Sequence, residues 1–373
     1  MRSDGPAAPA AAIVMGAAGV ALVACAVSAG QGWLDRHFLP DFFVSRQTLV
    51  QVELVVRLAI GAAGGLVALL ARPLGRFVAA DRVRSVAVLV AIAASLGTTE
   101  AVLRRVHLRA REEVTATKEP LRQRDAHLGW LFVPSRVGYQ RSNGRLIRYA
   151  FDGHGYRVAS LRAPVDPTRP ALLFSGESMM VGEKLHWEET IPAQTGAILG
   201  LQSANIAVSG FATDQAYLRL RDELPRFPHP VAVVLLFTPS LFDRNLDDDR
   251  PHLGPGLRWL PAEERWRLTA MARRLVRYRT EAAIERGIAV TRDVLRATVA
   301  LAQSRGARPL VVVPQFGEEE PRERMLRRRL LDEPGIPYVQ VPLDPSWRVR
   351  DDGHPDPRAA RRIAEAIAAR LRE

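Results

Sequence analysis

A chain of 373 residues is too long for one compact core and divides into about two units, since single domains run roughly 100–200 residues. Apolar residues make up 47% of it, yet no charge occurs between Asp4 and Asp35, which excludes a simply soluble protein. The 52 basic and 40 acidic residues leave +12, but only Lys118 and Lys184 are lysines, and no aromatic-interleaved basic stripe, zinc-type spacing or recognition-helix pattern accompanies the arginines, so nucleic acid is excluded as a partner. Cys25 is the single cysteine, so an intramolecular disulfide is excluded too.

Residues 1–108 read as a membrane region with three spans. The first, 11–34, is uncharged and longer than the ~20 residues that cross a hydrocarbon core. The second, 50–71, carries Glu53 and Arg57, and the third, 85–103, carries Glu100. In an antiparallel hairpin these three groups fall toward one membrane face, where Arg57 is expected to pair with the carboxylates and remove the cost of burying them bare. The loop between spans two and three holds Arg72, Arg76, Arg82 and Arg84, against Arg36 and Arg46 between spans one and two, so the former is assigned to the cytoplasm. That orientation puts the rest of the chain outside, despite Arg104, Arg105, Arg109 and Arg111 just beyond the third span. The expected location is the bacterial cytoplasmic (inner) membrane with a periplasmic C-terminal part. Leu22-Val23-Ala24-Cys25 also fits a lipoprotein cleavage box, but apolar character runs on to Leu34, which favours a continuous span.

Residues 109–169 are polar and punctuated by Pro120, Pro134, Pro164 and Pro167, and read as an adaptor. Within it Val137–Arg141 and Leu146–Phe151 flank Asn143-Gly144, the pair suited to a type I′ turn, which predicts a β-hairpin. From 170 to 373 the pattern changes to short buried strands at 171–175, 203–207, 231–237, 309–313 and 338–341, alternating with helices at about 187–199, 213–224, 280–304, 318–332 and 356–371. The fold class is therefore α/β: a doubly wound, flavodoxin-like domain on a five-stranded parallel sheet, preceded by the transmembrane region.

Open parallel sheets place their sites at the carboxyl ends of the strands. After the first strand, Ser175-Gly176-Glu177-Ser178-Met179-Met180-Val181-Gly182 sets Ser178 on a tight turn entering a helix, with its hydroxyl exposed. After the second comes Asn205-Ile206-Ala207-Val208-Ser209-Gly210, where a glycine lets a backbone N–H approach a substrate oxygen. The third ends in Phe237-Thr238-Pro239-Ser240-Leu241-Phe242-Asp243-Arg244-Asn245, and beyond the fifth lies Asp351-Asp352-Gly353-His354-Pro355. No cofactor fingerprint is present. The acidic run Asp247–Asp249 reads as a solvated loop and no metal site is assigned, because consecutive carboxylates do not form a ligand cage by spacing alone.

This ordered set resembles the SGNH family of serine hydrolases, also called GDSL esterases and lipases. The resemblance runs from about Pro170 to the C-terminus and extends loosely to Phe151-Asp152-Gly153-His154-Gly155-Tyr156-Arg157, similar to the lead-in of bacterial membrane-anchored members. It implies that Ser178 is the nucleophile, preceded by Glu177 in place of the usual aspartate. It implies His354 as general base and Asp351 as the carboxylate that orients it, with Asp352 as the competing orienter. Backbone N–H groups of Ser178 and Gly210 are implied as oxyanion donors. The sequence departs from the family in the third block: an ungapped register puts Ser240 where the family has an oxyanion asparagine, whereas a longer loop brings Asn245 there.

The function implied is an extracytoplasmic, membrane-anchored serine esterase acting on acyl or acetyl esters of envelope carbohydrate or lipid. Two readings stay open beside it. One is transfer of acetyl groups onto a surface polysaccharide, which with three spans would need a membrane partner in the envelope polysaccharide machinery; the other is a glycan-binding scaffold that has lost turnover through its altered third block.

Overall fold

The computed structural model describes residues 7–40, 42, 44–79, 82–104, 121–263 and 265–373, so that Arg105, Arg109, Arg111, Lys118 and Pro120 lie outside the described residues. The chain forms two compact units, one built on the N-terminal helices and one containing the α/β sheet.

The helical unit holds α1 (Ala7–Ser28), α2 (Gln31–His37), α3 (Arg46–Leu69), α4 (Ala71–Ala79) and α5 (Arg82–Leu103). By length and composition, α1 from Pro9 and α3 suffice to cross a membrane, and α5 contains the shorter apolar stretch Leu89–Leu103. The 11–34 segment is not one helix: α1 ends at Ser28, and the extended Gly30 restarts the chain as α2. Helices α1 and α3 meet through glycines. A Cβ on Gly19 would lie 2.5 Å from the Ala68 nitrogen, and one on Gly64 would lie 2.8 Å from the Gly19 oxygen, so hydrogen in place of a side chain sets how near the backbones come. The expected pairing of Arg57 with the carboxylates is not formed. Arg57 donates to the Ala26 carbonyl (3.1 Å), Glu53 accepts from Gln31 (3.0 Å), and Glu100 takes Arg104 (3.3 Å). Each finds a nearer donor or acceptor on its own or an adjacent helix.

The second unit opens with the small hairpin of β1 (Arg122–Asp125) and β2 (Gly129–Phe132), followed by the hairpin of β3 (Arg136–Ser142) and β4 (Arg145–Phe151). Asn143 and Gly144 have positive φ, 49° and 77°, as their turn requires. Next come β5 (Arg157–Val158), β6 (Ala171–Ser175), α6 (Ser178–Val181), α7 (Ile191–Leu199), β7 (Gln202–Asn205), α8 (Thr213–Glu223) and β8 (Pro230–Leu236). After β9 (His252–Leu253) and β10 (Trp259–Leu260) the chain passes through α9 (Arg267–Leu275), which belongs to the helical unit together with Trp266 to Tyr278. It returns as α10 (Glu281–Ser304), β11 (Arg308–Phe316), α11 (Pro321–Arg327), β12 (Tyr338–Leu343) and α12 (Pro357–Arg372).

Strands β7, β6, β8, β11 and β12 are parallel neighbours in that order, the doubly wound arrangement expected. Alternation along the central strand shows why both faces are covered. Leu235 and Phe237 pack with Ile284, Ile288 and Leu295 of α10, while Val234 and Leu236 join a cluster that includes Ile363 and Ile367 of α12. The sheet does not stop at β7. Strand β5 pairs antiparallel with it, and β4 and β3 follow, giving eight strands. The segment read as an adaptor thus supplies three strands to the sheet, and the polar main-chain edge that β7 would otherwise expose is covered.

Candidate active site

Ser178 stands at the carboxyl end of β6 as the first residue of α6, so its own N–H has no intrahelical acceptor. The Glu177 carboxylate caps that helix, accepting from the Met179 N–H at 3.2 Å. The loop after β7 is fastened beside this turn, because the Val208 N–H donates to the Gly176 carbonyl at 3.1 Å. Two residues on, Gly210 has φ 81°, and a Cβ there would come within 3.3 Å of the Trp130 ring. Trp130 is fully buried and donates its indole N–H to the Ser209 carbonyl at 2.9 Å, fixing the peptide that precedes Gly210.

The imidazole reaches Ser178 from the other end of the chain. His354 Nε2 lies 2.8 Å from Ser178 Oγ, and both side chains are buried. Asp352, not Asp351, orients the ring. Its Oδ1 accepts from the His354 backbone N–H (2.9 Å) and from the imidazole Nδ1–H, and that second bond leaves Nε2 as the acceptor facing the hydroxyl. Asp351 adopts φ 57° and its side chain is 86% exposed, pointing to solvent beside Arg350. The correction follows from the turn: with Asp351 in the left-handed region, the next residue is the one directed back at the histidine. Burial works against the charge of Asp352, but hydrogen bonds from Lys184 and His354 outweigh it and hold the carboxyl below the ordinary range.

Neither third-block candidate acts as the expected donor. Asn245 gives both amide hydrogens away, to Thr213 Oγ1 (3.1 Å) and Thr291 Oγ1 (3.0 Å), and its oxygen accepts from the Thr213 N–H (3.0 Å). It ties the loop after β8 to α8 and α10. Ser240 is buried at the start of the same 3₁₀ segment and makes no hydrogen bond to Ser178, Glu177 or His354 among the described residues. The short helical winding of Pro239–Leu246 carries these side chains elsewhere.

Other residues complete the centre. The Glu177 carboxylate also hydrogen-bonds the Ser178 hydroxyl, so one proton faces two acceptors, and Arg244 Nη1 lies 3.3 Å from Glu177. Glu183 comes within 3.5 Å of His354 Nε2, a second carboxylate for an imidazolium. Arg157, fully buried, donates to the carbonyls of Val181, Gly182 and Leu185 and stacks 4.5 Å over Tyr149, pinning the end of α6 and the segment after it. Burial pulls its pKa down to about 10, which leaves it charged at neutral pH. Asn143, at the tip of the β3–β4 turn, donates to the Arg350 carbonyl at 2.9 Å and braces the histidine loop. One sequence signal pointed to Lys184: it is one of two lysines in a chain whose basic residues are otherwise arginines. The acidic run is tied to arginines, Asp247 to Arg279 (2.6 Å) and Asp248 to Arg265.

Beside Glu177 opens a small recess lined by Ala216, Leu236, Phe237, Phe211, Leu241 and Arg244.

No family model matches the chain, and no curated protein matches it by sequence. Solved structures do resemble it. A member of the lipolytic protein G-D-S-L family from Veillonella parvula is 9% identical, over 53% of this chain and 96% of that one, with a TM-score of 0.34. A GDSL-like lipase from Bacteroides thetaiotaomicron is 13% identical, over 54% and 87%, with a TM-score of 0.34. An acetyl xylan esterase from Butyrivibrio proteoclasticus is 12% identical, over 56% and 65%, with a TM-score of 0.35.

Proposed function

We propose that this protein is a membrane-anchored serine esterase of the SGNH type, with Ser178, His354 and Asp352 as its triad. The supporting observation is the relay itself: hydroxyl, imidazole and carboxylate in hydrogen-bonded sequence, drawn from loops 176 residues apart. Ser178 Oγ attacks the ester carbonyl carbon while its proton passes to His354 Nε2. The carbonyl oxygen becomes an oxyanion, met by the N–H groups of Ser178 and Gly210. Asp352 and Glu183 stabilise the imidazolium, which then protonates the departing alcohol and leaves an acyl-enzyme. Water, deprotonated by His354, repeats the attack and releases the acid. The recess beside Glu177 receives the acyl group.

The site works without the third-block donor, and losing one such donor costs ~10²–10³ in rate, so turnover is slow rather than absent. An intact relay favours turnover over a binding-only scaffold. Helices α1 and α3 anchor the chain in the bacterial cytoplasmic membrane, and α5 crosses it as the third span through Leu89–Leu103. The arginine-rich loop before α5 lies inside, so that third crossing puts the sheet unit outside, among acyl and acetyl esters of envelope carbohydrate and lipid.

The test is covalent labelling of the full chain by a fluorophosphonate. Wild type reacts and Ser178→Ala does not; equal labelling of both removes the assignment. Product analysis with an acetyl donor and glycan separates hydrolysis, which gives free acetate, from transfer, which gives acetylated glycan.

A further inference from the structure

The stretch that joins α2 to α3 does not stay with its neighbours: Leu39 to Phe43 cluster with the sheet unit, although the helices on both sides belong to the other unit. Leu39 and Phe42 are buried there, Leu39 in an apolar group that includes Ile284 and Ile288. What Phe42 meets bears on the candidate site. The Arg348 guanidinium lies 4.3 Å from the ring centroid of Phe42 and 4.2 Å from that of Phe316, at the end of β11. Its Nη1 donates to the Phe42 carbonyl at 3.1 Å and to the Gly353 carbonyl at 3.0 Å. That second carbonyl belongs to the peptide whose N–H, from His354, donates to Asp352. One guanidinium is thus bonded both to the α2–α3 connection and to the peptide that carries the imidazole.

The composition of the histidine turn shows why such a hold matters. From Asp344 to Asp352 no residue is buried, and Trp347 packs only partly against the core. Short-range backbone bonds give the turn its shape: Arg348 bridges to Pro355, the Val349 N–H donates to the His354 carbonyl at 2.8 Å, and the Asp352 N–H donates to the Val349 carbonyl at 3.0 Å. Its position is set by contacts from outside, namely Asn143 on the Arg350 carbonyl, Lys184 on Asp352, and Phe42 through Arg348. A guanidinium suits that last place because it is planar, stacks on rings and donates along its edge.

We propose that Arg348 and Phe42 are positioning residues for His354: Phe42 holds the guanidinium by its ring and its carbonyl, and Arg348 holds the peptide between Gly353 and His354. The proposal rests on the esterase reading above. It makes turnover depend on a residue 306 positions before the arginine it supports. Since misplacing a reacting group by about 1 Å costs ~10² in rate, a loosened turn lowers kcat and leaves substrate binding in place.

The test is steady-state hydrolysis of p-nitrophenyl acetate by the full chain in detergent. Arg348→Met and Arg348→Lys lower kcat about tenfold and Phe42→Leu at least about threefold, each with KM within about twofold of wild type, while Phe42→Tyr, which keeps the ring, holds kcat within about twofold. Because the two residues act through one contact, Phe42→Leu/Arg348→Met is slower than Arg348→Met by no more than about twofold. Near-ultraviolet circular dichroism gives the folded fraction to which each rate is referred. Additive losses in the double variant overturn the proposal, as do folded single variants with the kcat of wild type, equal losses in Phe42→Tyr and Phe42→Leu, or losses confined to KM. If Phe42→Leu does not fold, Arg348→Lys decides alone, and an unchanged kcat there overturns the proposal. Hydrolysis that is absent from wild type, or that survives Ser178→Ala unchanged, removes the esterase reading instead.

Discussion

The two units are held together by opposite means. Around the candidate site the sheet unit buries charge: Arg157 is fully enclosed, its Nη groups donating to backbone carbonyls, and Arg250 is 3% exposed against Asp214 at 3.0 Å. The helical unit does the reverse where α1 meets α3, removing side chains so that backbone touches backbone at Gly19 and Gly64. Water supplies the reason. In a water-exposed unit, apolar burial drives folding, and polar groups inside must then be matched one by one. On the membrane-anchor reading proposed above, the helices meet among lipid tails, where that drive is missing and close van der Waals contact takes its place.

The comparison is broken most severely at the triad. Asp352→Asn, which keeps the shape but loses the charge and the tautomer control, lowers kcat by about 10⁴, the scale known for such a change in a serine triad. Asp351→Asn leaves kcat within about twofold, because that side chain is in solvent; steady-state hydrolysis of an activated ester distinguishes the two, and the reverse ranking would restore Asp351 as the orienter. The same pair reports on pH. Since the Asp352 carboxyl is held below its ordinary value, its contribution to stability is complete above the unfolded-chain value near 3.9 and fades as pH falls through the lower folded value. Thermal melting of Asp352→Asn should therefore lose part of the acid-side decline seen in wild type, and an unchanged decline would contradict the ion pair with Lys184.

Next in size is Arg157→Met, which removes a donor from the Val181, Gly182 and Leu185 carbonyls; Val181 keeps Asn205 and Gly182 keeps the Leu185 N–H, so the Leu185 carbonyl is the one left bare. At about 1–3 kcal/mol for an unsatisfied buried group, the sheet unit should lose about that much in denaturant unfolding, with labelling of Ser178 weakened before global unfolding. A surface arginine such as Arg361, replaced in the same way, should change stability by less than about 0.5 kcal/mol. In the helical unit the sensitivity reverses. Gly19→Leu forces α1 and α3 apart at a cost of about 1–3 kcal/mol, read as a lower melting point in detergent, while the activity per folded molecule stays unchanged. Loss of turnover without loss of helix packing would mean that the two units do not divide their roles in this way.

Much of the sheet unit was legible from residue order. The five parallel strands fell within a few residues of their predicted places because short apolar runs bounded by turn residues are what a sheet buried on both faces requires. The Asn143-Gly144 hairpin was legible for a similarly local reason, since the turn dictates the residue types. Ser178, Gly210 and His354 could be singled out because each stands just after a strand or just before a helix, and the structure does bring Ser178 and His354 together, though both are buried where an exposed hydroxyl was expected. The carboxylate partner could not, because Asp351 and Asp352 are adjacent and chemically identical; only the left-handed turn at Asp351 selects between them. Asn245 misled for the same kind of reason: its amide suits an oxyanion, but the 3₁₀ winding of its loop spends it on Thr213 and Thr291.

Periodicity and turn chemistry act over a few residues, so the sequence by itself determined the short buried strands of an α/β unit, most of the helices between them and the apolar stretches near the N-terminus. Tertiary structure alone decided that the supposed adaptor would extend the sheet, that Arg157 would lie beneath the nucleophile segment, and that Trp266–Tyr278 would leave its neighbours in the chain for the helices. Those outcomes depend on which distant group satisfies a buried donor, acceptor or open strand edge, and a linear pattern carries no record of distance across the fold.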